Sequence, residues 1–333
     1  MKVLFHTNDL GLRGTAQAVY DYAYFAETIL GWTSAVVYPS NAASNDPGIV
    51  AKFSSRFQIT GYDRLEEISG SGADLTYFIK SGKRDGLLSP DTASAIHAVF
   101  QEFDPHGESY AYVSDWLAQH CTGGRYPYVP HIVDLPSGQS RRSVWGVPED
   151  AFVFGRYGGY DTFDIDFVKR AVPKLLEDKR IWFVFVNTER FIDHPRVLFR
   201  DAISRPTDKS DFILSCDAML HGRERGESFG LAICEFLFQG KPVLAWAGGK
   251  DGNHRRILGS QPGALYKDQD DLVRKALALV EGTDQDWKAL IAPFSPEAVM
   301  PRFAKVFTES AAPSRGVRAV SKARFMMRKV VSS

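Results

Sequence analysis

Short apolar runs alternate along this chain with stretches whose apolar residues recur at helical spacing, and that alternation leaves few folds open to it. Val3-Leu4-Phe5 reads as a first strand, residues 15–30 as a helix, and Ala35–Tyr38 as a second strand. Further strands are expected at Phe57–Thr60, Leu75–Ile79, Ile96–Phe100, Ala111–Ser114 and Tyr128–Pro130, with a helix starting at Ser114-Asp115-Trp116-Leu117. The rhythm restarts near Ala151. Phe152–Gly155 is a strand, 164–177 a helix and Ile181–Val186 a buried strand. Strands at Phe212–Leu214, Val243–Ala247 and Ala264–Tyr266 follow, with helices over 228–239 and near 270–281. Strand–helix–strand repetition is the signature of parallel sheets covered by helices. Two such series predict an α/β chain of two doubly wound, Rossmann-like domains, each with a ligand crevice at the carboxyl ends of its strands.

Length agrees, because 333 residues exceed what one core ordinarily serves. The expected division is 1–140, 141–295, a terminal helix 296–310 and a basic tail 311–333. Asp134–Ser143, with Pro136, Ser137, Gly138 and Ser140, has the composition of a linker. Hydrophobic content of 44% and charge of 24% are those of a water-soluble protein. Net formal charge is zero, which points away from nucleic acid. That neutrality hides an asymmetry. From Ala311 onward there are six basic residues and no acidic one, so the remainder carries six net negative charges. The three cysteines, Cys121, Cys216 and Cys234, are scattered and odd in number, which indicates neither a disulfide framework nor a zinc site. The opening Met1–His6 is too short an apolar run for a signal peptide, and no run approaches a membrane span. A cytoplasmic location is expected.

The stretch Glu227-Ser228-Phe229-Gly230-Leu231-Ala232-Ile233-Cys234-Glu235 is the most specific in the chain. Ser228 is a good N-cap and Gly230 permits close backbone approach. A helix starting there aims free N–H groups of Phe229–Leu231 outward, where they suit an anion such as a phosphate. Glu227 would stand beside that anion, and Glu235 about two turns along on roughly the same side. One carboxylate beside the phosphates and one further down suits a nucleotide-sugar, the first at sugar hydroxyls and the second at the ribose.

With Phe229-Gly230-Leu231 inside it and Gly240-Lys241-Pro242-Val243 after it, this stretch resembles the Glu-x7-Glu motif of family-4 retaining glycosyltransferases. The resemblance implies the B-type glycosyltransferase fold, two Rossmann-like domains facing a central cleft, with the N-terminal domain on the acceptor side and the terminal helix crossing back onto it. It implies transfer of a hexose-like sugar from a nucleotide-diphosphate donor to an acceptor hydroxyl on a glycan, lipid or small molecule. The anomeric configuration would be retained and no metal or other cofactor required.

Other segments extend the resemblance. Gly155-Arg156-Tyr157 resembles the family's Gly-Arg-Leu, and the guanidinium of Arg156 suits a diphosphate. The Lys that usually follows is absent; Arg223, Arg225 and Lys250 are candidate substitutes. Gly11-Leu12-Arg13-Gly14-Thr15 matches the family's Gly-rich loop, which implicates Gly14 in donor binding. His106, in Asp104-Pro105-His106-Gly107, has the family position of a histidine that contacts the transferred sugar or acts on the acceptor proton. His97, on an apolar strand, reads as a packed histidine. His221–Gly226 is either a mobile loop or a solvated turn. Asp164-Ile165-Asp166 reads as acids at a helix start rather than a metal motif. The tail over 315–331 interleaves basic and apolar residues, as an amphipathic helix on anionic lipid does, or is a disordered end. Two further functions fit the same fold: a silent nucleotide-sugar or glycan-binding protein, and a nucleotide-sugar epimerase.

Overall fold

The computed structural model describes residues 1–12, 14–309 and 313–331. The chain divides into two compact units, one formed by Met1–Ile132 with Phe294–Ser333 and the other by Val133–Pro293.

The first unit opens with β1 (Lys2–His6), α1 (Gly14–Thr28), β2 (Thr33–Pro39), α2 (Pro47–Ser54), β3 (Gln58–Tyr62), β4 (Leu75–Lys80), β5 (Ala93–Ala98), β6 (Ser109–Tyr112) and α3 (Asp115–Thr122). Its six parallel strands run in the order β3-β2-β1-β4-β5-β6. Leu4 lies opposite both Ala35 and Thr76, which fixes β1 at the centre. Every residue of β4 is buried, as expected of a strand covered on both faces. Strand order reverses between β1 and β4, so their carboxyl ends, at His6 and Lys80, flank the switch point where such sheets bind ligands.

Some boundaries differ from the sequence expectation. The strand predicted from Ala111 to Ser114 stops at Tyr112, because the Ser114 side chain caps α3 by accepting the Leu117 N–H at 3.2 Å. Tyr128–Pro130 makes only an isolated bridge to Tyr112. Pro127 and Pro130 on either side have no N–H to extend it.

The second unit contains α4 (Arg142–Trp145), β7 (Phe152–Tyr157), α5 (Asp166–Leu175), β8 (Ile181–Val186), β9 (Val197–Arg200), α6 (Pro206–Leu214) and β10 (Ala218–Leu220). It continues with β11 (Gly226–Glu227), α7 (Leu231–Phe238), β12 (Val243–Trp246), β13 (Asp251–Gly252), α8 (Asn253–Leu258), β14 (Leu265–Tyr266) and α9 (Gln269–Glu281). The main sheet, β14-β12-β10-β7-β8-β9, repeats the first unit's topology and reverses between β7 and β10. The expected strand Phe212–Leu214 is instead the last turn of α6. Pro206 starts that helix, and its apolar end is buried at Phe212 and Ile213. The strand of this region is β10, three residues long.

After Pro293 the chain rejoins the first unit through α10 (Pro296–Ala304), a π-helical turn Lys305–Glu309 and α11 (Arg315–Val331). Phe303 of α10 packs its ring against Phe5, Tyr22 and Tyr77 at centroid distances of 6.3, 5.0 and 5.3 Å. All three cysteines are buried, and none of them forms a disulfide. Among the described residues no helix is long and apolar enough to cross a membrane.

Candidate functional site

The second sheet's switch point sets out the site. β10 ends at Leu220, and the next residue, His221, is held by its carbonyl, which accepts the Tyr266 hydroxyl at 2.6 Å. The chain then loops out and returns as β11, whose two residues pair in parallel with β13, Gly226 opposite Asp251 and Glu227 opposite Gly252. Gly226 is obligatory. Its φ is +75°, and a Cβ would run into the carbonyl oxygen of Asp251. Arg225 braces the same turn through its Nε, 2.7 Å from Asp251 Oδ2.

This ladder delivers Glu227 with three of its polar groups occupied. Oε1 accepts from His221 Nε2 at 3.0 Å and Oε2 from Arg223 at 3.0 Å. The backbone N–H donates to His254 Nδ1 at 3.3 Å. His254 is thereby set in one tautomer, with its Nε2–H on the Trp246 carbonyl at 2.9 Å. Burial favours the protonated acid at Glu227, but hydrogen bonds and charge from His221 and Arg223 outweigh it and hold the carboxyl below its ordinary pKa. The result is an oriented carboxylate, 19% exposed. His221 Nδ1 is buried with no partner among the described residues.

Helix α7 follows, but not where the sequence suggested. Its N-cap is Gly230, at φ +98°, rather than Ser228, and it starts at Leu231. The chain leaves β11 extended and spends three residues before it can turn. Asn253 pins that passage by donating to the Phe229 carbonyl at 2.7 Å, with Phe229 itself buried. The first helical turn leaves the N–H groups of Leu231, Ala232 and Ile233 without an acceptor inside the helix. Glu235 is 3% exposed and receives Lys209 Nζ at 2.7 Å from α6. Lys209, to which the sequence suggested no role, also lies 5.6 Å over the Tyr157 ring.

Arg156, at the end of β7, is buried. Its guanidinium donates to four neutral oxygens: Asn187 O at 3.1 Å, Thr188 Oγ1 at 2.6 Å, Gly159 O at 2.9 Å and Thr162 Oγ1 at 2.6 Å. Burial lowers its pKa to about 10, against the pull of Glu227, so it stays cationic at neutral pH. A surface depression of about 490 Å³ is bordered by Asp164, Glu224, Arg225, Trp246, Gly249 and Lys250. Of the three candidate substitutes for the absent Lys, Arg223 sits on Glu227, Arg225 on Asp251, and Lys250 borders this depression.

His106 and Gly14 belong to the first unit. His106 donates from Nδ1 to the Asp104 carbonyl at 2.6 Å, which leaves Nε2 as a lone pair, buried and without a partner among the described residues. Burial lowers its pKa, so the ring is neutral at pH 7. Gly14 is the first residue of α1, while Arg13 beside it lies outside the described residues. His97 is packed, between the Tyr77 hydroxyl at 2.6 Å and the Val129 carbonyl at 2.9 Å. Sequence reasoning passed over His6, buried at the switch point with Nε2 2.6 Å from the Tyr62 hydroxyl. It also passed over Lys80, buried and ion-paired with Asp85. The one available signal was that both stand at the carboxyl end of an apolar strand.

No protein-family profile matches the chain, and no curated protein is significantly similar to it. Solved structures do match. A glycosyltransferase from Rickettsia africae ESF-5 superposes with a TM-score of 0.64 at 12% identity, over 93% of this chain and 99% of that one. Anabaena Alr3699/HepE, crystallised in complex with UDP and glucose, gives 0.64 at 14% identity, over 100% of each chain. The fold is that of the B-type glycosyltransferases. A putative UDP-N-acetylglucosamine 2-epimerase from Listeria monocytogenes has the same architecture, with a TM-score of 0.59 at 12% identity over 94% of this chain and 98% of that one.

Proposed function

We propose that this chain is a retaining, family-4-like glycosyltransferase that moves a hexose-type sugar from a nucleotide-diphosphate donor to an acceptor hydroxyl. The observation that carries this reading is Glu227. An oriented carboxylate, gripped by His221 and Arg223, stands immediately before the amide end of α7 at the edge of a doubly wound sheet. The amides of Leu231–Ile233 are assigned to the departing diphosphate, where preorganised dipoles stabilise developing charge. Ser228, Phe229 and Gly230 form the approach to those amides. Glu227 is assigned to the hydroxyls of the donor sugar, and Glu235, fixed by Lys209, to the ribose. Arg156 acts through its field, since its N–H groups are largely committed to neutral oxygens. On the first unit, Gly14 is assigned to the donor. His106, with a free lone pair on a neutral ring, is assigned to the transferred sugar or the acceptor proton. The Anabaena neighbour's complex with UDP and glucose supports a UDP-sugar as the donor class. No metal enters this scheme.

Isotope-labelled UDP-sugars offered with a panel of acceptors test it. Glu227→Gln keeps the shape and removes the charge, so turnover should fall about 100-fold, with little change in melting temperature. Normal transfer by that variant would refute the site assignment. Turnover should be the same with and without EDTA; loss on chelation would refute the metal-free scheme. The Listeria neighbour favours one second reading, an epimerase. Conversion of the donor to its epimer without any acceptor would establish that reading and displace the first. Binding without turnover would establish a silent binding protein.

A further inference from the structure

The C-terminal helix α11 is docked by one face and bare on the other. Ser321 and Phe325 are buried beneath it. The Phe325 ring lies 6.1 Å from that of Phe103, and Arg328 donates to His120 Nδ1 of α3 at 2.9 Å. The opposite face is unlike an ordinary solvated surface. Val320, Met326 and Met327 are 51, 54 and 66% exposed, and Ala319 and Ala323 stand between them. Along one margin of this apolar strip runs a row of cations, Arg315, Arg318, Lys322 and Lys329, spaced to lie on one side of a helix. Lys329 pairs with Glu102 at 3.7 Å and Arg318 donates to the Pro105 carbonyl, whereas Arg315 and Lys322 are exposed and make no ion pair among the described residues. The helix contains no acidic residue, although the rest of the chain is net negative.

We infer that α11 is an interfacial helix that holds this protein against an anionic lipid surface. The strip of Val and Met side chains enters the headgroup boundary, and the cation row meets the lipid charge. The chemistry selects this occupant. A second copy of the chain would bring cation row against cation row, and nucleic acid would leave the methionines facing phosphate. Because the inner face is packed, the helix is presented rigidly and loses little entropy on docking. The inference is independent of which reaction the second unit performs.

Co-sedimentation of the full-length protein with vesicles tests it, using phosphatidylcholine alone and phosphatidylcholine mixed with phosphatidylglycerol. Binding is expected only to the mixed vesicles, weakening as salt rises. The double variant Arg315→Gln/Lys322→Gln should lose about five-fold in affinity for each cation removed. Met326→Ser/Met327→Ser, at unchanged charge, should lose several-fold more than salt alone explains. All four positions are exposed, so both variants should fold and melt at the parent's temperature. Absence of binding to mixed vesicles, or binding by both variants as tight as the parent's, overturns the inference. So does sedimentation-velocity evidence that the Met face drives self-association without binding vesicles.

Discussion

At Glu227 the decisive chemistry lies in partners that are close in space and unremarkable in sequence. His221, six positions earlier, and His254, twenty-seven positions later, meet it from a strand end and from a helix. Without His221 the carboxylate loses one of two donors and gains freedom to rotate. His221→Ala should therefore lower kcat/KM about ten-fold or more, at roughly 1–3 kcal/mol for an unsatisfied buried acceptor. His221→Gln can still donate an N–H and should recover most of the loss. If the two variants behave alike, His221 only fills space. The pairs that the sequence did make legible, Ser114 capping α3 and His97 packed in the core, are local or lie on a clearly apolar strand. The partners of Glu227 had no such signature.

Among the elements, strands and long helices followed apolar periodicity closely, because that periodicity reports which face must leave water. The errors cluster where the element is short. The three-residue β10 is too brief to show a period, and the apolar Phe212-Ile213-Leu214 reads equally as strand or helix end. The paired dipeptides β11 and β13 are visible only once the fold brings them together. They nonetheless position the site, which makes Gly226 a sensitive probe. Gly226→Ala combines positive-φ strain with a clash against the Asp251 carbonyl, and should cost about 2 kcal/mol or more and weaken donor binding. Gly240→Ala, at φ +69° with no atom within 4 Å, isolates the strain alone. Calorimetry on the pair should show the larger loss at Gly226; equal losses would mean the ladder yields.

For the molecule as a whole, buried histidines should set the response to acid. Burial lowers the pKa of His6 to about 3, aided by the Lys80 charge. Burial also brings His97 to about 4 and His131 to about 3, all three in the first unit. In the second unit burial lowers His254 to about 4. A histidine ordinarily titrates at about 6.5. Below that the unfolded chain takes up protons that the folded chain refuses, so stability falls as pH drops from about 6.5 toward 4, by about 1.4 kcal/mol per pH unit for each group. The first unit, which also holds His106 with a pKa lowered by burial, should weaken more steeply than the second. The Glu227 carboxylate adds nothing until the pH falls below its ordinary value of 4.5, where its lowered pKa begins to shed stability as well. Hydrogen exchange resolved by unit across this range would show it, and flat stability, or earlier opening of the second unit, would contradict it.

Composition and periodicity alone indicated an α/β chain of repeated strand–helix units with a tail of one charge sign, and the segment from Glu227 to Glu235 carried the resemblance to family-4 glycosyltransferases. Those features are local, and burial stamps them directly on neighbouring residues. The start of α7 at Leu231, the grip of His221 and Arg223 on Glu227, the burial of Arg156 among neutral oxygens and the docking of α11 were decided by tertiary structure. Each depends on strand register, positive-φ turns and contacts between distant segments, and no stretch of sequence carries that information by itself.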